Sequence, residues 1–179
     1  MRGRVALIGL SGAGKSTVAP LLAARLGFDA VDLDAAVEAA AGEPIAVLFA
    51  RRGEAAFRDL EAEALRSALA DDAREGRVVA CGGGILERAE NRDRLRERCV
   101  VVWLRVSPAT AAARLDRAAR SERPLLAGAR AMERLEALLT ARQAAYEAAA
   151  DAIVETDGRS AEAVADEAAS RWRGLAGPA

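Results

Sequence analysis

The chain has 179 residues and a mass of 18.7 kDa, which suits one domain with a single core and leaves too little for two. A formal net charge of −1 argues against nucleic-acid binding, and the lack of histidine with only two cysteines argues against a zinc site or a disulfide scaffold. No apolar run approaches the roughly 18 residues that span a bilayer. We therefore expect a cytoplasmic protein that binds neither nucleic acid nor membranes.

Strand and helix patterns alternate through the first half of the chain. Short apolar, β-branched runs indicate buried strands, and apolar residues at helical spacing indicate helices packed on them. The predicted elements are a strand at 5–9, a helix at 15–26 closed by Gly27, a weaker strand at 28–33, and helical segments over 35–70 broken at 42–44 and at Gly53.

The same alternation continues to the end of the chain. The predicted elements are a strand at 77–80, a strand at 99–106, a helix opened by Ser107 as N-cap, an Arg-rich segment at 116–129, a helix at 131–149, a strand at 152–155, a helix at 160–173 and a frayed tail. Repeated strand–helix units predict an α/β fold with a parallel sheet and helices on both faces. In such sheets ligands bind beyond the carboxyl ends of the strands, where the polar motifs of this chain fall.

The segment Gly9-Leu10-Ser11-Gly12-Ala13-Gly14-Lys15-Ser16 fits the phosphate-binding pattern G-x-x-x-x-G-K-[ST] in full. Its glycines let backbone N–H groups surround a phosphate, and the following helix adds its positive end. Lys15, the only lysine in the chain, is expected to reach the β- and γ-phosphates of ATP, and Ser16 to bind Mg²⁺. The alternative is a glycine-rich turn with a chance lysine. The loop alone does not identify a phosphate acceptor, so a switch-type nucleotide-binding protein also fits it.

Asp32 and Asp34 lie two residues apart at the end of the second predicted strand. Alternate strand residues point to one face, so both carboxylates are expected to face one cleft. One carboxylate suits the magnesium shell through water, and the other suits an acceptor hydroxyl. The alternative is a polar strand end in which an aspartate caps the next helix.

Three further features each have a functional and a plain interpretation. Arg58 and Glu61 are neighbours on a helix face, as a surface ion pair or as a carboxylate holding an arginine towards a substrate. The glycines at 82–84 suit close approach of a ligand to the backbone or a flexible turn. The Arg-rich segment at 116–129 suits a lid over phosphates or a solvated charge run.

Together these residues resemble the shikimate kinase family over residues 5–171. The resemblance rests on the glycine loop and on motifs that follow in order at matching spacings. These are Val31-Asp32-Leu33-Asp34, Gly53-Glu54 with Phe57-Arg58 and Glu61, Gly82-Gly83-Gly84, Arg123-Pro124-Leu125-Leu126-Ala127-Gly128, and Arg142-Gln143-Ala144-Ala145-Tyr146. The family implies a P-loop fold like that of nucleoside-monophosphate kinases, with a five-stranded parallel sheet, a substrate-binding subdomain and a lid. It also implies transfer of the ATP γ-phosphate to the 3-hydroxyl of shikimate in aromatic amino-acid synthesis.

The resemblance assigns roles by position within a single kinase domain, 1–179, with the P-loop at 9–17, a substrate-binding region at about 34–60 and a lid at about 116–129. By this resemblance the ATP phosphates contact Gly12, Ala13, Gly14, Lys15, Ser16, Thr17 and Arg123, the adenine contacts Arg159, Mg²⁺ contacts Ser16 and Asp32, and shikimate contacts Asp34, Arg58, Gly83 and Arg142. Asp34, Lys15 and Arg123 are the catalytic candidates.

Two positions depart from the family pattern. Asp116 stands where the family often has an arginine near the adenine, so Arg114 and Arg117 both remain candidates for that contact. Ala161 stands where a proline is frequent. The competing functions are a gluconate or nucleoside-monophosphate kinase of the same fold and a non-catalytic nucleotide-binding regulator. Nothing in the sequence indicates oligomerisation, so we expect a monomer.

Overall fold

A computed structural model describes backbone and side chains for residues 3–70, 76–117 and 132–176, and backbone alone for 118–122 and 129–131. Five strands alternate with seven α-helices over these residues. In chain order they are β1 Arg4–Ile8, α1 Lys15–Leu26, β2 Asp29–Asp32, α2 Leu33–Ala41, α3 Ile45–Ala70, β3 Arg77–Ala80, a 3₁₀ turn Ile85–Glu87, α4 Ala89–Arg98, β4 Val100–Arg105, α5 Pro108–Glu122, α6 Ala129–Ala149, β5 Ala152–Glu155 and α7 Ala161–Ala176.

The strands form one parallel sheet in the order β2-β3-β1-β4-β5, with helices flanking it. Every residue of β4 before Arg105 is buried, and since alternate residues face opposite sides, both faces of the sheet are covered. The predicted five-stranded parallel α/β fold is confirmed. Because the strand order reverses around β1, the loop after β1 opens at the place where such sheets bind ligands.

Helix α1 has the bounds that the sequence predicts, Lys15–Leu26, and ends at Gly27 in the left-handed conformation (φ 70°). At the start of α1, the preceding loop requires glycine for space as well as for backbone angle. A Cβ at Gly12 (φ 82°) would lie 2.7 Å from the carbonyl oxygen of Ala111 on α5. The first turn of α1 is thus fixed against a neighbouring element.

The region between β2 and β3 has a small core of its own. Helix α3 is kinked at Gly53 (φ 78°, ψ 174°), and its first half folds back on α2. Val37, Leu48 and Phe57 form a buried cluster that shares no buried residue with the main core around the sheet. This part of the chain corresponds to the predicted substrate-binding region.

Several boundaries differ from the prediction. Asp32 ends β2 and caps α2, so Asp34 lies in the first turn of a helix and not on the strand. Helix α4 has no predicted counterpart, α5 continues to Glu122 and so includes the start of the Arg-rich segment, and α7 continues to Ala176. Within the described ranges, no helix combines the length and apolar character that crossing a membrane requires.

Candidate active site

The loop between β1 and α1 already has a compact shape held by its own lysine. Lys15 is buried, and its Nζ donates hydrogen bonds of 2.8 Å to the carbonyl oxygens of both Gly9 and Leu10. Burial lowers the pKa of Lys15 to about 8, and the nearby Asp34 carboxylate opposes this shift. The Lys15 ammonium therefore lies partly desolvated at the loop, where an anionic ligand would strongly stabilise its charge.

Asp32 and Asp34 do face one cleft, although by a different geometry from the predicted one. The Oδ1 atom of Asp32 accepts hydrogen bonds from the amides of Asp34 (2.9 Å) and Ala35 (3.3 Å), which is the capping alternative. Asp34 follows on the first turn of α2. Desolvation, reinforced by the charge of Asp32, raises the pKa of Asp34 above its ordinary value of 3.8.

Arg58 and Glu61 form an ion pair inside the protein and not on its surface. The Arg58 Nη1 to Glu61 Oε2 distance is 2.8 Å, and the Glu61 side chain is only 1% exposed. Burial acts against the charge of Arg58, yet the hydrogen bond to Glu61 keeps the pKa of the guanidinium above its usual value. Glu61 thus holds the Arg58 guanidinium in place, and its orientation towards a substrate stays a prediction.

None of the three glycines after β3 has a positive φ, so any need for glycine there is a need for space. A Cβ at Gly82 would collide with Glu61 Oε1, and one at Gly84 would lie 2.5 Å from Arg58 Nη1. A Cβ at Gly83 would meet nothing nearer than 3.5 Å. The outer glycines therefore make room for the protein's own ion pair, whereas a side chain at Gly83 would make only ordinary contacts with Arg142 and Ser11.

Two further residues, Glu87 and Tyr146, make contacts in this cleft. Glu87 accepts a 2.5 Å hydrogen bond from Arg142 Nη2 and lies 3.1 Å from Arg58 Nη2. The buried Tyr146 hydroxyl donates to the carbonyl oxygen of Gly83 at 2.6 Å, and desolvation raises the pKa of Tyr146 to about 12. The contacts of Glu87 with Arg142 and of Tyr146 with Gly83 were not expected, because each joins residues more than fifty positions apart.

Arg114 is the arginine that meets the phosphate loop from α5. Its Nη1 donates to the carbonyl oxygen of Gly12 at 3.2 Å and to Thr156 Oγ1 at 3.1 Å, and its Nη2 donates to the carbonyl oxygen of Thr156 at 2.6 Å. Arg117 is exposed. Arg159 borders the same region, with its guanidinium bound to Glu167.

Three cavities follow one another along the carboxyl edge of the sheet. A central cavity of about 530 Å³ is lined by the phosphate loop, Asp32, Asp34 and Arg114. A neighbouring cavity of about 200 Å³ shares with it three residues, Ser11, Asp34 and Gly83, and adds Arg58, Glu61 and Arg142. On the other side, a cavity of about 160 Å³ is lined by Arg114, Thr156 and Arg159.

Some predicted features cannot be compared with the structure. Arg123 and residues 124–128 of the predicted lid lie outside the described residues. Where side chains are described, no group of three or more acidic or cysteine side chains is arranged to hold a metal by itself. A magnesium ion at such a loop relies on one or two protein ligands and on the phosphates, so the pair Ser16 and Asp32 suits that ion.

A phosphate loop that opens into a cavity with a carboxylate and two arginines defines a P-loop kinase for a small acceptor. The profile of the family described as shikimate kinase matches residues 11–173 of the chain. The chain belongs to the shikimate kinase family and is an ATP-dependent kinase.

Individual relatives agree with the family match. A shikimate kinase of Symbiobacterium thermophilum is 44% identical over 163 residues, covering 91% of this chain and 92% of the relative. A shikimate kinase of Geobacter sulfurreducens is 47% identical over 93% of this chain and 88% of its own length. The structure is similar to that of the Acinetobacter baumannii shikimate kinase in complex with shikimate, with a TM-score of 0.82, 33% identity, and coverage of 92% of this chain and 89% of the other.

Proposed function

We propose that this protein transfers the γ-phosphate of ATP to the 3-hydroxyl of shikimate, giving shikimate 3-phosphate and ADP. The observation that carries the proposal is that the cavity of the phosphate loop and the cavity beside Arg58 share three lining residues, Ser11, Asp34 and Gly83. A phosphate held by the loop and an acceptor held near the arginines would meet at Asp34. Phosphoryl transfer depends mainly on such positioning and on neutralisation of charge.

On the nucleotide side, Lys15 would exchange its two loop carbonyls for phosphate oxygens, and residues 12–17 would surround those phosphates with backbone N–H groups. Mg²⁺ would be held by the Ser16 hydroxyl and, through water, by Asp32, and when bound it neutralises charge on the β- and γ-phosphates. Arg123 is proposed to contact the transferred phosphate. Arg114 and Arg159 border the cavity in which we place the adenine.

On the acceptor side, Arg58 and Arg142 would bind the shikimate carboxylate, because a guanidinium forms two parallel hydrogen bonds with a carboxylate. Asp34 would orient the attacking hydroxyl and accept its proton late in the transfer. Its raised pKa makes it a somewhat better base than an ordinary aspartate, although orientation remains the larger part of its role. Gly83, which lines both cavities, would contact the ring.

The acceptor is tested by measuring ADP release with Mg-ATP and shikimate, gluconate or AMP in turn. Shikimate should be the preferred acceptor, because gluconate differs in shape and AMP has no carboxylate for the two arginines. A rate with gluconate or AMP more than about tenfold above that with shikimate would remove the assignment, and no turnover with any acceptor would favour the regulator. We further propose that the protein acts as a cytoplasmic monomer, with the substrate-binding region at 34–60 and a lid at 116–129.

A further inference from the structure

Glu87 places a carboxylate between the two arginines that the proposed function assigns to the carboxylate of shikimate. Each oxygen faces a different arginine, Oε1 with Arg142 Nη2 at 2.5 Å and Oε2 with Arg58 Nη2 at 3.1 Å. Arg58 belongs to α3 and Arg142 to α6, so this one side chain joins two helices. It is the same bridging contact that a substrate carboxylate would make.

The side chain of Glu87 is exposed enough to leave this position. It is 40% exposed, whereas that of Glu61, the deeper partner of Arg58, is 1% exposed. Glu87 ends the 3₁₀ turn Ile85–Glu87, whose other members, Ile85 and Leu86, are buried in the core. The backbone is therefore anchored while the carboxylate can rotate into solvent, and Arg58 keeps Glu61 and Glu54 as partners after it leaves.

The balance of charge indicates that Glu87 and a substrate carboxylate cannot both bridge Arg58 and Arg142. Glu54, Glu61 and Glu87 give three negative charges against the two positive charges of Arg58 and Arg142. A bound shikimate carboxylate would add a fourth negative charge close to Asp34, in a partly desolvated cavity where like charges repel strongly. Departure of Glu87 restores the original balance, so binding is an exchange of one carboxylate for another.

We propose that Glu87 is a specificity-determining residue: it occupies the carboxylate position between Arg58 and Arg142 in the unliganded protein and is displaced by the carboxylate of the acceptor. This inference rests on the proposed function. An acceptor without a carboxylate cannot replace the two contacts that Glu87 gives up, so it leaves Arg58 and Arg142 bound to Glu87. The same competition weakens the apparent affinity for the correct acceptor, because only the fraction of molecules with Glu87 displaced is competent to bind.

The kinetics of Glu87→Gln test this exchange. Glu87→Gln removes the charge and keeps the size of the side chain, and the exchange predicts that KM for shikimate falls, by about tenfold if Glu87 is seated about nine-tenths of the time. The value of kcat should move much less, because Glu87 does not line the cavity of the phosphate loop. Most substitutions beside a binding cavity raise KM, so a fall is not a generic outcome.

Two further variants separate local exchange from distant charge. Glu87→Asp keeps the charge but is one methylene too short to bridge both arginines, so the exchange predicts a fall in KM here too. A charge acting at a distance would instead leave Glu87→Asp with the KM of the unmodified protein. Glu90→Gln is the matched control, since Glu90 lies three residues further on, is 55% exposed and, among the described residues, pairs only with Arg88, at 3.8 Å. It should leave KM unchanged.

Shikimate binding is also measured by titration calorimetry without nucleotide, so that affinity is read independently of turnover. Tighter binding to Glu87→Gln and Glu87→Asp, with Glu90→Gln unchanged, supports the exchange. Equal or weaker binding to the Glu87 variants overturns it even if the unmodified protein phosphorylates shikimate normally. If the unmodified protein neither binds nor phosphorylates shikimate, the proposed function itself has failed, and the exchange fails with it.

Discussion

Arg114 and Thr156 are joined by two hydrogen bonds, from Nη1 to the side-chain oxygen at 3.1 Å and from Nη2 to the carbonyl oxygen at 2.6 Å. Thr156 follows β5 and is buried, and the same guanidinium also donates to the carbonyl oxygen of Gly12. One side chain on α5 therefore ties the end of the sheet to the phosphate loop. The departure from the family pattern at Asp116 is thus accompanied by an arginine two positions earlier.

Replacing Arg114 by alanine should weaken ATP binding and lower stability together. Loss of a charged hydrogen bond costs about 1.5–3 kcal/mol, so we expect KM for ATP to rise roughly 10- to 100-fold. Thr156 would also lose its buried partner, and the free energy of unfolding should fall by about 1–3 kcal/mol. Steady-state kinetics and urea unfolding measure the two effects. Arg117→Ala, on the exposed side of the same helix, is the control, and equal effects of both variants would contradict this role.

The unusual environment of Lys15 predicts a pH dependence of nucleotide binding. Its pKa of about 8 in the unliganded protein means that the ammonium loses its proton above about pH 8 and not above 10.5. Phosphates favour the charged form, so binding raises the pKa and takes up a proton above that pH. Affinity for Mg-ATP should be constant below about pH 8 and fall by up to about tenfold per pH unit above it.

Titration calorimetry from about pH 7 to about pH 9.5 measures this dependence. Lys15→Ala is the matched variant: it should keep the fold, lose turnover, and bind nucleotide weakly without the fall at high pH. An affinity in the unmodified protein that stays constant to about pH 9.5 would show that Lys15 keeps its proton throughout.

Asp34→Asn should act chiefly on kcat. Asparagine keeps the shape and one acceptor oxygen but removes the charge and the site for the proton, and general-base assistance is typically worth about 10²–10⁴-fold. Because the pKa of Asp34 is raised above 3.8, activity of the unmodified protein should fall on acidification at a higher pH than an ordinary aspartate would cause. The variant should lack this acidic limb. If it retains more than about a tenth of the original kcat, Asp34 only binds the acceptor.

Arg58→Lys should act chiefly on KM for shikimate. Lysine keeps the positive charge but cannot form two parallel hydrogen bonds, and the contact lies away from the reacting oxygen. A rise of roughly 10- to 100-fold in KM is expected, with kcat much less affected. ATP affinity serves as the internal control, since Arg58 does not line the cavity of the phosphate loop. A loss confined to kcat would contradict a role in holding the carboxylate.

Gly83 and Gly84 should respond differently to alanine, although they are adjacent. At Gly84 the new Cβ would lie 2.5 Å from Arg58 Nη1 and force the guanidinium out of its ion pair with Glu61. We expect Gly84→Ala to lower the free energy of unfolding by about 1–3 kcal/mol. At Gly83 the nearest atom is 3.5 Å away, so Gly83→Ala should unfold like the unmodified protein. Thermal unfolding of both variants compares them, and equal stability would mean that Arg58 moves aside freely.

The sequence predicted what local chemistry determines. The glycine–lysine loop defined β1 and the bounds of α1, and Gly53 marked the break within α3, because these features depend on a few adjacent residues. The position of Asp34 at the end of a strand was predicted wrongly, and this prediction also came from a local pattern. The run Val31 to Asp34 alternates apolar and acidic residues as a strand does, and the run alone does not decide between a longer strand and Asp32 as cap of the next helix.

Other features could not be predicted because their determinants are distant or weak. Seven of the ten residues of helix α4 are charged and only Asn91 and Leu95 are buried, so it has no apolar periodicity to reveal it. The contacts of Glu87 with Arg142 and of Tyr146 with Gly83 depend on how α6 packs beside the turn after β3. Such pairings follow from the tertiary fold alone.

The kink at Gly53 and the separate cluster of Val37, Leu48 and Phe57 have a consequence for thermal behaviour. Regions with few buried apolar contacts open at a lower free-energy cost than the main core of a domain. Local melting of α2 and the first half of α3 would carry Asp34 away and loosen Arg58, while β1 and α1 keep the phosphate loop intact. On warming, the protein should therefore lose affinity for the acceptor at a lower temperature than it loses affinity for nucleotide.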